Sequence, residues 1–263
     1  MNVLITRPSA QADPWVETLI AQGVNAIAFP LIEVHSLIDG NALNQSWEVY
    51  KKYRALMFVS SNAVKFFFHH CSKDCRDKTF PFPGQRLWAT GPGTAKVLSQ
   101  EGIHTSVVDA PNIDMAKFDS EALWSLVSSQ VRVKDRVLIV RGQDILAIEE
   151  VSVGGRDFLT QAICSSGANV DFLEVYKRIP PALSVNQVAV AEKSANDGSL
   201  WLFSSGQALY HLKHLLPFQN WSNANALVTH PRIALVAEGL GFGKVQTCRP
   251  VLEDVLASIE SLL

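Results

Sequence analysis

The sequence predicts two small α/β domains built on parallel sheets. Short β-rich apolar runs alternate with helix-patterned segments along the whole chain. Almost every such run stops at Thr, Ser, Gly or Arg just before a helix begins. The order of units also repeats once, which points to an internal duplication. Parallel strands joined by right-handed helical crossovers satisfy all three observations. The 263 residues suit two domains of ordinary size, and 48% hydrophobic against 18% charged residues supply their cores.

Val3–Ile5 is the first strand and ends in Thr6-Arg7-Pro8. A helix follows from about Ala12 to Gln22, with Trp15, Val16, Leu19 and Ile20 on one face and Gly23 at its end. A second helical stretch covers Leu43–Tyr53. Ala55–Val59 is a buried-type strand, and Ser60-Ser61-Asn62 opens a helix bearing Val64, Phe67, Phe68 and Cys71. Arg86–Ala89 is a strand, broken by Thr90-Gly91-Pro92-Gly93-Thr94 before a helix to about Gln100. Thr105–Val108 is a further strand, a helix spans about Ser120–Ser129, and Val137–Val140 is a strand closed by Arg141-Gly142. Gly154-Gly155-Arg156 opens a helix ending at Gly167. Leu200–Phe203 ends in Ser204-Ser205-Gly206, ahead of a helix with Leu209, Leu212 and Leu216. Ile233–Ala237 is the last strand of the series.

Two stretches differ from the rest. Phe29–Leu37 (FPLIEVHSL) and Val170–Arg178 (VDFLEVYKR) alternate apolar and polar residues, and each follows a helix and a glycine. Neither reads as a strand buried on both faces. They are expected to cross between the domains, with Tyr176 partly exposed near the mouth of a cleft.

The repeat has three units. VLITRP resembles VLIVRG and leads to a similar crossing; ALMFVSSNAV resembles LWLFSSGQAL; RLWATGPGTAKVL begins like RIALVAEGLGF. Taken alone, this order cuts the chain once, near Lys134.

Composition excludes several classes. A net charge of −2 without a Lys/Arg-rich face argues against nucleic acid as a partner. Arg7 comes too early for a secretory leader, and no apolar run reaches the roughly 18 residues of a membrane span. Cys71, Cys75, Cys164 and Cys248 have no disulfide-framework spacing. A soluble cytoplasmic protein with reduced thiols is expected, without membrane contact.

The strand ends are the candidate site. Carboxyl ends of parallel strands face the ligand, and helix starts there present free N–H groups. Arg7, Ser60, Ser61, Asn62, Gly93, Thr94, Arg141, Gly142, Ser204, Ser205 and Gly206 all occupy such ends, so an anion is the expected ligand. Gly91-Pro92-Gly93-Thr94-Ala95-Lys96, with Asp109 after it, has a passing likeness to a dinucleotide fingerprint. Lys96 stands where the third glycine belongs, so no nicotinamide site is expected. His69, His70, Cys71 and Cys75 lack a second pair to complete a tetrahedral metal site, and no metal is expected. No Ser-His-Asp order, nucleophile elbow or Walker loop is present.

These segments together resemble the uroporphyrinogen-III synthase family along nearly the whole chain. The matching stretches are VLITRP, GVNAIAFPLIEV, FVSSNAV, ATGPGTAKVL, VLIVRG, GGRDFL, GANVDFLEVYKR and FSSG. The resemblance implies two Rossmann-like (flavodoxin-like) domains with an active site in the inter-domain cleft. Residues 1–34 would pack with 179–263, and 38–171 would form the second domain. A two-stranded ribbon, about 29–37 and 170–178, would join them and could bend. It implies a cofactor-independent cyclising lyase that converts hydroxymethylbilane, with inversion of the last ring and loss of water. It also implies a monomer in transient contact with the preceding enzyme of the pathway. Tyr176 would assist loss of the hydroxyl, Thr94 would be a second catalytic group, and Arg7, Arg141 and Arg156 would be local cations for carboxylates.

The chain departs from the family twice. Gln143–Val153 looks like an insertion ahead of Arg156. LVAEGLGFGKVQTC has Glu238-Gly239 in place of a Ser/Thr turn and too few residues for a helical crossover, so no ligand contact is expected there. That shortened unit favours an alternative reading, a hinged small-molecule binding or sensor module without catalysis.

Overall fold

A computed structural model describes residues 2–37, 47–69, 80–111, 120–145 and 155–261. Its strands are β1 (Val3–Ile5), β2 (Ala26–Ala28), β3 (Glu33–Ser36), β4 (Ala55–Phe58), β5 (Arg86–Ala89), β6 (Val108–Asp109), β7 (Arg136–Asp144), β8 (Asn169–Ile179), β9 (Leu200–Phe203), β10 (Asn225–Val228) and β11 (Lys244–Thr247). Its helices are α1 (Ser9–Ala21), α2 (Trp47–Tyr50), α3 (Ser61–His69), α4 (Pro92–Gln100), α5 (Ser120–Val127), α6 (Gly155–Ser165), α7 (Val185–Ser194), α8 (Gly206–Leu215), α9 (Pro231–Leu240) and α10 (Leu252–Glu260). The chain forms two compact units, Met1–Val34 with Arg178–Leu263, and His35–Lys177.

The first unit carries a sheet in the order β11-β10-β9-β1-β2, with every neighbouring pair parallel. β1 and β9 are buried throughout, as central strands covered on both faces must be. β2 stops before Pro30, which has no N–H to give a ladder. One face is packed by aromatic rings: Phe29 meets Trp201 edge-on at 5.3 Å, and Trp201 meets Trp221 at 5.2 Å. The other face buries Val3, Ile5, Leu19, Val255 and Ile259. In α1 the inward residues are Ala12 and Leu19, with Trp15 and Val16 beside them. Ile20, expected on that face, is 55% exposed.

The second sheet runs β3-β8-β7-β4-β5-β6, and β7–β4, β4–β5 and β5–β6 are parallel. Phe58, Phe67 and Phe68 pack with their ring centres 5.3–6.1 Å apart under α3. Thr105–Val107 is a 3-10 turn rather than strand, which leaves β6 two residues long. β7 does not close at Arg141-Gly142 but continues to Asp144. Of the stretch 29–37, only Glu33–Ser36 is strand, while Phe29, Leu31 and Ile32 are buried in the first unit's core. β3 and β8 are neighbours in the second sheet, where the Leu37 N–H donates to the Val175 carbonyl at 3.1 Å.

The last repeat unit corrects the sequence reading. Ile233–Ala237 is not a strand but the middle of α9, and the strand before it is β10. NALVTHPRIALVAEGLGF then aligns with RLWATGPGTAKVLSQEGI without a gap. Thr229-His230-Pro231 stands where Thr90-Gly91-Pro92 does, and the proline opens the helix in both. Gly102 (φ 87°) and Gly241 (φ 90°) end the two helices in the left-handed region. The unit therefore has its Thr turn and a full helical crossover.

With that register, the two sheets have one layout. β2-β1-β9-β10-β11 corresponds strand for strand to β8-β7-β4-β5-β6. Each sheet takes its first two strands from one copy of the repeat and the other three from the other copy. A helical Ile233–Ala237 predicts that Leu235→Ala leaves the urea midpoint nearly unchanged, because Leu235 is 69% exposed. Leu235→Gly should cost about 1 kcal/mol more, and Gly241→Ala about 1 kcal/mol or above. Equal midpoints for the alanine and glycine variants at Leu235 would contradict the helix.

Candidate active site

In open parallel sheets a ligand sits outside the carboxyl ends of the strands, where the winding reverses. The reversal in the first unit lies between β1 and β9, and in the second between β4 and β7. Thr6-Arg7 and Ser204-Ser205-Gly206 follow the first pair of strands. Ser60-Ser61-Asn62 follows β4, and Arg141-Gly142 lies in β7 beyond its pairing with β4. The topology thus gathers these predicted residues into one group per unit.

Tyr176 joins the second group from a distance. It belongs to β8, with β7 between it and β4. Its hydroxyl nevertheless reaches Ser60 Oγ, at the end of β4, at 3.1 Å. The ring passes over β7 at Gly142, where a Cβ would overlap it. Phe66 of α3 stacks on the ring at 5.5 Å between centres. Ser60 Oγ also accepts the Ala63 N–H at 3.0 Å, which caps the start of α3. Tyr176 is 3% exposed, so the expectation of a partly exposed tyrosine is wrong. The ring is buried because β7 and α3 enclose it, neither of which is adjacent in sequence.

The arginines are engaged. Arg141 forms an ion pair with Glu174 at 2.9 Å and lies 4.2 Å from the centre of the Phe172 ring. Its Nε is buried without a partner among the described residues. Arg7 donates from Nε to Ser204 Oγ at 2.9 Å and stacks over Trp15 at 3.8 Å. Burial pushes the Arg7 guanidinium down from its ordinary value, and Cys248 nearby acts the other way. Ser205 Oγ accepts the Gln207 N–H at 3.2 Å, and Gly206 opens α8. In α4, Gly93 is exposed and Thr94 is buried in the first turn, at the end of the strand beside β4.

Two features escaped the sequence reading. The Gln207 side-chain amide is buried with neither atom partnered among the described residues. Thr229 and His230 open α9, with the His230 ring accepting the Arg232 N–H at 3.1 Å. Thr229, Thr247 and Cys248 line a pocket of about 640 Å³ at the carboxyl ends of β10 and β11. Burial pushes the Cys248 thiol up, with Asp254 adding to it.

Asp109 pairs with Arg86 through both oxygens at 2.6 and 2.9 Å, so it is not held for a ribose. No cluster of three metal-binding side chains occurs among the described residues. His70, Cys71, Cys75, most of 143–153 and the side chain of Arg156 lie outside them.

A family model described as uroporphyrinogen-III synthase HemD matches residues 13–257. The chain belongs to the uroporphyrinogen-III synthase family. It is 28% identical over 260 residues to the uroporphyrinogen-III synthase of Salmonella typhimurium, covering 97% of this chain and 98% of that one. The Chlorobaculum parvum synthase is 27% identical over 191 residues, 71% of this chain and 67% of the relative. A crystal structure of a mutant uroporphyrinogen III synthase from the extremely thermophilic bacterium Thermus thermophilus superposes with a TM-score of 0.60 at 14% identity. That match covers 99% of this chain and 98% of the other, and it shows a shared fold.

Within this synthase family fold, Gly142 acts through shape. Adding a methyl group there forces the Tyr176 ring off its seat, and overpacking of this kind costs about 1–3 kcal/mol. Gly142→Ala should lower the melting temperature and reduce turnover in the same preparation. An unchanged melt would show that the ring does not lie against Gly142.

Proposed function

We propose that the protein closes hydroxymethylbilane to uroporphyrinogen III, with loss of one water and inversion of the last ring. Family membership supports the reaction. The observation that carries the mechanism is the delivery of the Tyr176 hydroxyl to Ser60, at the point where the second sheet reverses. Eight carboxylates on a linear tetrapyrrole call for many donors. Within each unit the helix starts offer such donors, α3 and α4 in the second and α8 and α9 beside Arg7 in the first, without a large net positive charge. Arg141 is paired to Glu174, and its part is to hold β7 and β8 together near Tyr176.

The chemistry is largely positioning, with a proton delivered to the leaving group. A proton from Tyr176 goes to the departing hydroxyl as the C–O bond breaks, and water leaves a cation on the former hydroxymethyl carbon. A new C–C bond forms at the substituted position of the last ring, and the older bond from that position to its bridging carbon breaks. The freed bridging carbon bonds to the unsubstituted position of the same ring, which completes the macrocycle with that ring inverted. The proton released when that pyrrole is restored returns to Tyr176. Thr94, one strand beyond Ser60, is a further polar group along the same edge.

Incubation with hydroxymethylbilane and separation of the product isomers tests the function. The type III isomer is expected, and only type I at the uncatalysed rate would rule the activity out. The binding-module alternative has lost its support, because the unit that looked too short contains α9 and its Thr229 turn. In our reading the enzyme works in the cytoplasm as a monomer, in transient contact with the enzyme that makes its substrate. The free thiols of Cys164 and Cys248 suit a reducing compartment. No helix among the described residues is long and apolar enough to cross a membrane.

General acid help is typically worth about 10²–10⁴-fold. Tyr176→Phe should therefore slow turnover yet leave measurable activity, with the product still mostly isomer III. Thr94→Ala should be milder. Unchanged turnover in Tyr176→Phe would remove its chemical role, and a switch to isomer I would mean that it orients the last ring.

A further inference from the structure

A serine hydroxyl has two lone pairs and one hydrogen. At Ser60 one lone pair accepts the Ala63 N–H at 3.0 Å, and the Tyr176 hydroxyl lies 3.1 Å from the same oxygen. A phenol that is 3% exposed needs an acceptor for its own hydrogen. Ser60 Oγ is the acceptor that the described residues place there. Tyr176 therefore donates and Ser60 accepts. Both Ser60 lone pairs are then occupied, and its hydrogen is directed away from the ring. The two groups also differ in access. Ser60 is half-buried, whereas the ring of Tyr176 is enclosed by Gly142 and Phe66.

The duplicated layout supplies an internal control. Ser205 holds the place of Ser60 in the first unit and caps α8 through the Gln207 N–H. Where β8 has Tyr176, the matching position after β2 is Ile32, buried in the aromatic core. A capping serine at this turn needs no tyrosine behind it. The second unit has added the phenol to a turn that the fold completes without one.

We propose that Ser60 is the group that meets the departing hydroxyl, and that Tyr176 supplies the proton from behind it. This rests on the reading of Tyr176 as the acid. As the C–O bond breaks, Ser60 Oγ–H gives its proton to the leaving oxygen while Tyr176 gives its own to Ser60. Water departs, the substrate carries the positive charge, and Tyr176 becomes a phenolate to which the re-protonated Ser60 donates. The start of α3 faces the negative charge as it develops. The proton lost from the closing ring returns through Ser60 to Tyr176, so no net proton is consumed.

The test is a double-mutant cycle on the full chain, measuring kcat and KM for hydroxymethylbilane with a thermal melt of each protein. Ser60→Ala should lower kcat about 10²-fold, as Tyr176→Phe does, with little change in KM. Ser60→Thr keeps a hydroxyl and should recover most of kcat. The double variant should be no slower than the slower single. If Ser60→Ala does not fold, Ser60→Gly replaces it, since glycine serves a helix start almost as well. Losses that multiply in the double variant would overturn the relay. So would full turnover in Ser60→Ala beside a slow Tyr176→Phe, leaving the acid role of Tyr176 standing. Full turnover in Tyr176→Phe would overturn the acid role and the relay together.

Discussion

Parallel strands send their carboxyl ends to one edge, and the whole first sheet and β7, β4, β5 and β6 of the second obey that constraint. Each helical crossover returns the chain over the sheet's face, so the strand ends that lead into crossovers are followed by helix starts with unsatisfied N–H groups. The polar residues at these strand ends therefore sit in short turns: Thr6-Arg7, Ser60-Ser61, Thr90–Thr94, Ser204–Gly206 and Thr229-His230. The reversal of winding then selects, in each sheet, the pair of ends with room beside them. Both selected pairs carry serine and arginine.

The two sheets share a layout but not a chemistry. In the first unit Arg7 holds Ser204, and Ile32 fills the core position. In the second, Arg141 is held by Glu174, and Tyr176 crosses β7 to reach Ser60. Two changes make this difference possible. Pro8 of the first copy is Gly142 in the second, which clears a path for the ring. Pro30 of the first copy is Glu174 in the second, so β8 continues as strand where β2 stops. In the proposed mechanism the first sheet offers a binding edge, and the second, with Ser60 from one copy and Tyr176 from the other, carries the reactive pair.

Much of this was legible in the sequence, because buried parallel strands read as apolar runs and their ends as polar turns. Leu200–Phe203 followed by Ser204-Ser205-Gly206 shows both signals in seven residues. The misreading of Ile233–Ala237 has a physical source: a five-residue apolar run suits a buried strand or the inner face of a helix equally. The deciding signal was Thr229-His230-Pro231, the same strand-to-helix turn as Thr90-Gly91-Pro92. Other properties were not legible locally. The burial of Tyr176 depends on Gly142 and Phe66, and the engagement of Arg141 depends on Glu174, 33 residues away. Such pairings are set by sheet order, which short-range patterns do not encode.

The central claim is that reaction takes place at the carboxyl edge of the second sheet, beside the Ser60–Tyr176 pair. A crystal structure of the chain with uroporphyrinogen III bound tests it most directly. The account predicts the bridging carbon next to the last ring within reach of Ser60 Oγ, with carboxylates on the starts of neighbouring helices. Product bound with no atom near Ser60 or Tyr176, or seated at the amino ends of the strands, would contradict it.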